Sequence, residues 1–142
     1  MNETTFRRSL RGTAELPFVE EVLDALTALY EQAGNVSEED RTFFSLAVSE
    51  VATNIVTHAC ASPTGQLSGV SVSVDLTVKA KNLTARFVDD AAPADIIVAE
   101  AALPDELAES GRGLAIATMA LDQLTYDVHD GNTWKLLRRR RS

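Results

Sequence analysis

Four polar residues recur along one side of an otherwise apolar stretch, SEVATNIVTHA: Glu50, Asn54, Thr57 and His58. Glu50 and Asn54 are four residues apart, so on a helix they stack on one face, with Thr57 and His58 one turn further along that side. A carboxylate at the start of such a stripe could orient or deprotonate a hydroxyl. An amide oxygen one turn on could hold a Mg²⁺ that keeps several waters and bridges phosphates. Taken alone, E-x-x-x-N fits a capped or solvated pair equally well.

Two further stretches carry chemistry. Asp89 closes an apolar run in FVDDAAPAD, where a carboxylate at a strand end could accept a hydrogen bond from an exocyclic amine, or could simply form a turn. In ESGRGL, Gly111 and Gly113 flank Arg112 just before a second apolar run. Glycines let a backbone approach an anion, and a helix start presents N–H groups and partial positive charge to it. The stretch is neither a Walker loop nor a dinucleotide fingerprint, because no G-K-[ST] and no G-x-G-x-x-G is present.

These groups need elements to position them. TFRRSLR, from Thr5, reads as an edge strand. LPFVEEVLDALTALYEQA, Leu16 to Ala33, has apolar residues at helical spacing and Gly34 as its stop. Ser37 is placed to cap a second helix with acidic residues in its first turn, running to Cys60 before Pro63 and Gly65 end it. That helix is apolar at almost every azimuth apart from its polar stripe, so the stripe should face a cleft. VSVSVDLTV from Val70 and LTARFVD from Leu83 alternate strictly and predict two neighbouring antiparallel strands. Residues 90–110 show no sustained period and read as a loop. A helix from Gly111 to Asp122, the strand LTYDVH, a turn at 130–132 and the strand TWKLLRR from Thr133 complete the order. The pattern predicts an α+β two-layer sandwich, one domain over residues 1–142, with helices on one face of a mostly antiparallel sheet.

Composition sets the outer bounds. The 142 residues are 45% hydrophobic and 24% charged, as in ordinary globular domains. No apolar run is long enough to span a bilayer and the N-terminal residues have no secretion-signal core, so a cytoplasmic location without membrane contact is expected. Cys60 has no cysteine partner, which agrees with a reducing compartment. With 21 acidic against 13 basic residues and a net charge of −8, the chain should repel a phosphate backbone, and direct nucleic-acid binding is not expected. The run Arg138 to Arg141 reads as a solvated tail or, alternatively, as a grip for an anionic partner.

Taken together, SEVATNIVTHA, VDDAAPAD, SGRGL and GNTWKL resemble, in order and spacing over nearly the whole chain, the anti-σ-factor serine-protein kinases of the GHKL (histidine-kinase-like) ATPase superfamily. The resemblance implies a GHKL-type sandwich that binds Mg·ATP. It makes Glu50 the catalytic carboxylate for an attacking hydroxyl and Asn54 the Mg²⁺ ligand. Asp89 would read adenine, and Gly111, Arg112, Gly113 and Leu114 would lie at the phosphates as part of a lid that begins near Ala94. Thr133 would support the adenine end, and His58 would pack or hydrogen-bond behind the site. The implied partners are a σ factor and an anti-anti-σ protein of the STAS type, with a homodimer formed through the first strand and helix. One residue departs from the pattern: relatives tend to show D-x-G-x-P where this chain has DDAAP, placing Ala91 at the glycine. If that backbone needs a left-handed conformation, alanine costs roughly 1–2 kcal/mol, about a factor of ten in nucleotide affinity.

Overall fold

A computed structural model describes residues 4–60, 70–90, 108–128 and 131–141; the side chains of residues 59–60 and 108–112 are outside that description. The element order is β1 (Phe6–Thr13), α1 (Leu16–Ala33), α2 (Glu38–Cys60), β2 (Ser71–Val78), β3 (Asn82–Asp89), α3 (Ala108–Ala120), β4 (Gln123–Val128) and β5 (Asn132–Arg139). The five strands form one antiparallel sheet in the order β1-β2-β3-β5-β4. This is the α+β sandwich that the sequence predicts.

Local chemistry sets the helix ends. Pro17 sits in the first turn of α1, where its missing N–H costs nothing, and Gly34 closes the helix at φ +82°, donating its N–H to Tyr30 O. Ser37 Oγ accepts the backbone N–H of Asp40 at 3.1 Å and so caps α2, whose first turn carries Glu38, Glu39 and Asp40.

The strands obey a period of two. In β2 and β3 every second residue, Val72 to Val78 and Leu83 to Asp89, is buried, and those residues face the helices. Phe87, Trp134 and Leu136 from the sheet, Leu26 and Leu29 from α1, and Val48 and Val51 from α2 share one core. The helices thus cover one face of the sheet. The strict apolar wrap expected for α2 is broken on one flank, where Phe43 and Leu46 are exposed.

Several boundaries move by one to three residues, and two of them bear on the site. The third helix begins at Ala108, three residues before Gly111, and β5 begins at Asn132, one residue before Thr133. The expected helix stop at Pro63 and Gly65 and residues 91–107 of the expected 90–110 loop, including the lid start near Ala94, lie outside the described residues. The C-terminal arginines do not form a solvated tail. Arg138 is buried against Asp40, and Arg140 donates to Asn35 O at 2.7 Å and Lys79 O at 2.8 Å. Their guanidinium groups satisfy carbonyls and a carboxylate that would otherwise be left at the ends of other elements.

Candidate functional site

Glu50, Asn54 and His58 follow one another at four-residue spacing along α2, so a single helix sets their relative positions. Glu50 is half-buried, and its carboxylate lies against α3. A Cβ placed on Gly113 would fall 2.6 Å from Glu50 Oε2. The glycine therefore lets α3 close on this carboxylate, and any larger residue would have to move it.

Asn54 is 8% exposed and its Nδ2 has no hydrogen-bond partner among the described residues. Leaving a buried amide unmatched costs about 1–3 kcal/mol, so the position is set up to receive something the described residues do not supply. It lines a narrow crevice with Ile55, His58, Asp89, Asn132 and Trp134, with room for about one water molecule.

The opposite wall comes from the sheet. Asp89 ends β3 on its inner face and is buried, and in register with it stands Asn132 of β5. Asn132 Nδ2 donates to Asp89 Oδ1 at 2.8 Å, while Asn132 Oδ1 accepts the Tyr126 hydroxyl. The Tyr126 ring in turn lies over Trp134, with centroids 4.4 Å apart. A tyrosine, a carboxamide and a carboxylate thus form a chain of hydrogen bonds that fixes the orientation of Asp89. Gly131 makes the approach possible: its φ is +112°, and a Cβ there would fall 2.5 Å from Asp89 O.

Several expected site residues sit elsewhere. Thr133 does not face the crevice. In β5 the buried parity is Asn132, Trp134 and Leu136, and Thr133 points to the other face with Lys135 and Leu137. Its neighbour Asn132 enters the crevice instead, and the sequence signal for it, a parity shared with Trp134 and Leu136, the apolar residues that must enter the core, can be read only once the start of β5 is known. Leu114 is fully buried in the core, so its side chain anchors α3 and is not available to a nucleotide. Thr57 is exposed on the flank of α2. Gly111, Arg112 and Gly113 lie within α3 and not ahead of it. Ala91 falls outside the described residues.

A family model described as the histidine kinase-like ATPase domain matches residues 13–138, nearly the whole chain. The chain belongs to the histidine kinase-like ATPase family. Membership makes it an ATP-binding domain, and the crevice holding the unmatched Asn54 amide and the buried Asp89 is where this fold's described residues gather such groups. Among solved structures, the RsbU and RsbW domains of Rv1364c from Mycobacterium tuberculosis are similar, at 20% identity and a TM-score of 0.58 over 95% of this chain. That likeness is one of fold, and the present chain spans 33% of the matched one. No curated protein matches the chain.

The described residues of this histidine kinase-like ATPase domain contain no group of three or more His, Cys, Asp or Glu able to hold a metal ion. Asn54 and Glu50 offer hard oxygen donors in small number. Such a set suits a hydrated Mg²⁺ held jointly with phosphates and does not suit a closed protein cage. Among the described residues no helix is long and apolar enough to cross a membrane.

Proposed function

We propose that this domain is an anti-σ factor with serine/threonine-protein kinase activity: it binds Mg·ATP, phosphorylates an anti-anti-σ protein of the STAS type, and thereby controls a σ factor. The observation that carries the proposal is the buried, unmatched Asn54 amide, one helical turn from a half-buried carboxylate and across a crevice from a second, oriented one. A carboxamide N–H that the described residues leave unsatisfied is matched to an acceptor on a ligand, such as a phosphate oxygen.

In this mechanism the Asn54 side-chain oxygen would hold a Mg²⁺, which would supply charge neutralisation at the phosphates, and Asp89, held by Asn132 and Tyr126, would accept the exocyclic amine of the base. Bound Mg·ATP supplies the phosphoryl group and offsets the charge that builds up in transfer. Glu50 acts on the acceptor: it orients the serine hydroxyl in line and takes its proton as that oxygen bonds to the γ-phosphorus of ATP and the bond from the γ-phosphorus to the departing ADP breaks. His58 lines the same crevice beside Asn54 and supports it by packing. The N-terminal turns of α3, with Gly111, Arg112 and Gly113, take the phosphate end. Phosphorylation of the antagonist leaves the domain to sequester σ, so one protein carries a nucleotide site and a protein-binding surface. A cytoplasmic homodimer is the assembly proposed.

The test separates nucleotide binding from transfer. Glu50→Gln should lower phosphate transfer to a purified STAS-type partner by about 100-fold or more while ATP affinity, measured by calorimetry, stays within about twofold. A full-rate Glu50→Gln enzyme would show that the carboxylate has no part in the chemistry. A second reading rests on Ala91 in DDAAP: the domain sequesters its partner without useful kinase activity. Wild-type protein that binds the partner but neither binds ATP nor transfers phosphate would select it.

A further inference from the structure

The sheet face opposite the helices carries a charge pattern that folding does not explain. Strand register places its side chains in rows, and the central row runs Ser9, Asp75, Arg86, Lys135 and Thr125. Arg86 and Lys135 are therefore direct cross-strand neighbours, both exposed. Like charges opposite each other destabilise an antiparallel pair, and alternatives such as threonine would favour it.

The carboxylate in register with Arg86, that of Asp75, is already engaged. Asp75 accepts the Ser9 hydroxyl and pairs with Arg7 Nη2 at 3.6 Å, and no ion pair of Arg86 or Lys135 is present among the described residues. Across the five strands this face carries Arg7, Arg11, Arg86, Lys135 and Arg139 against Asp75 and Asp127. On a chain of net charge −8 that is a reversal of sign concentrated on one side. Of these side chains, Arg7, Asp75, Arg86, Asp127 and Lys135 line a trough of about 780 Å³, which the side chains of Thr77, Thr84 and Thr125 also line.

We propose that this trough docks a carboxylate-rich segment of a partner protein, with Arg86 and Lys135 as its paired anchors. Charge complementarity selects the occupant. Carboxylates from an extended segment can meet Arg86 and Lys135 singly and reach the threonine hydroxyls beside them, whereas Asp75 and Asp127 interrupt the trough on either side and oppose the continuous charge of a nucleic-acid backbone. The surface is separate from the nucleotide crevice, which lies on the inner face of the sheet, so the inference stands whether or not the kinase assignment does.

The experiment compares wild type with the Arg86→Gln, Lys135→Gln double variant. A labelled glutamate-rich peptide is titrated by fluorescence anisotropy at low and moderate salt, with a single-stranded oligonucleotide as counter-probe. Binding of the peptide should be salt-sensitive and should fall by about tenfold in the variant, as expected for the loss of two solvent-facing charge contacts. The melting temperature should stay level or rise, since the substitutions relieve repulsion, and ATP affinity should not change. Peptide binding that is absent in wild type, or equal in the two proteins, would overturn the proposal. So would tighter binding of the oligonucleotide, or self-association by sedimentation that the two substitutions abolish, which would make the occupant a nucleic acid or a second copy of this chain.

Discussion

Asn54 sits where an apolar side chain would serve the fold better. Its amide is buried among Ile55, Trp134 and the end of β3, and its Nδ2 is unmatched. Leucine has nearly the same shape and no polar atoms, so Asn54→Leu should raise stability by about 1–3 kcal/mol, read as an upward shift in denaturant midpoint, while ATP binding is lost. A destabilised variant that still binds ATP would place the ligand elsewhere. Glu50, Asn54 and Asp89 were legible in the sequence because polar groups inside apolar runs are costly and so stand out. Asn132 was not, because the Asp-Gly-Asn turn hides where β5 begins. Thr133, which the family resemblance put at the adenine end, lies one residue further on and, with a side-chain period of two, on the opposite face.

At the scale of elements, the contact that matters is α3 on α2, made close by Gly113 beside Glu50. Gly113→Ala puts a methyl group 2.6 Å from Glu50 Oε2, so either the carboxylate turns away or the helix lifts. The helix itself gains about 0.5–1 kcal/mol from the replacement of a mid-helix glycine, which offsets part of the clash. Stability measured by thermal melting should therefore change little, while phosphate transfer falls about tenfold or more with ATP affinity nearly kept. An unaltered rate would show that Glu50 does not need its observed position. The start of α3 was misread for a related reason. Glycines at 111 and 113 mark a helix boundary by local propensity, yet Leu114, Ala117 and Ala120 bury the element in the core, and packing carries the helix back through them to Ala108. The five strands were legible because alternation is a local signal. The sheet order β1-β2-β3-β5-β4 was not, because no local pattern states which strands pair across a helix.

Over the whole molecule, the two ends of the sequence-distant core are tied by one buried ion pair. Asp40 in the first turn of α2 is fully buried and receives Arg138 Nε from the end of β5 at 3.0 Å; Arg141 N adds a contact at 3.0 Å, and Arg138 also caps Ala120 O of α3 at 2.9 Å. Burial opposes ionisation of Asp40, but the Arg141 backbone N–H, the Arg138 guanidinium and Ser37 outweigh it and hold the carboxyl below its ordinary value. Asp122 is lowered in the same way, by the Arg141 side chain and the Arg139 N–H. A carboxyl whose folded pKa is depressed contributes stability that is present above its unfolded value, about 3.9, and lost as pH falls through the folded one. Asp40→Asn leaves the buried Arg138 with only the exposed Glu39, 3.7 Å away, as its counter-charge, which should cost up to about 3–5 kcal/mol at neutral pH. As the pH is lowered from 5 toward 2, wild type loses its advantage when Asp40 protonates, so the two stability curves should converge. Denaturant unfolding across that range measures it directly, and curves that stay parallel to the acid end would mean that Asp40 is not the group linking acidity to the fold.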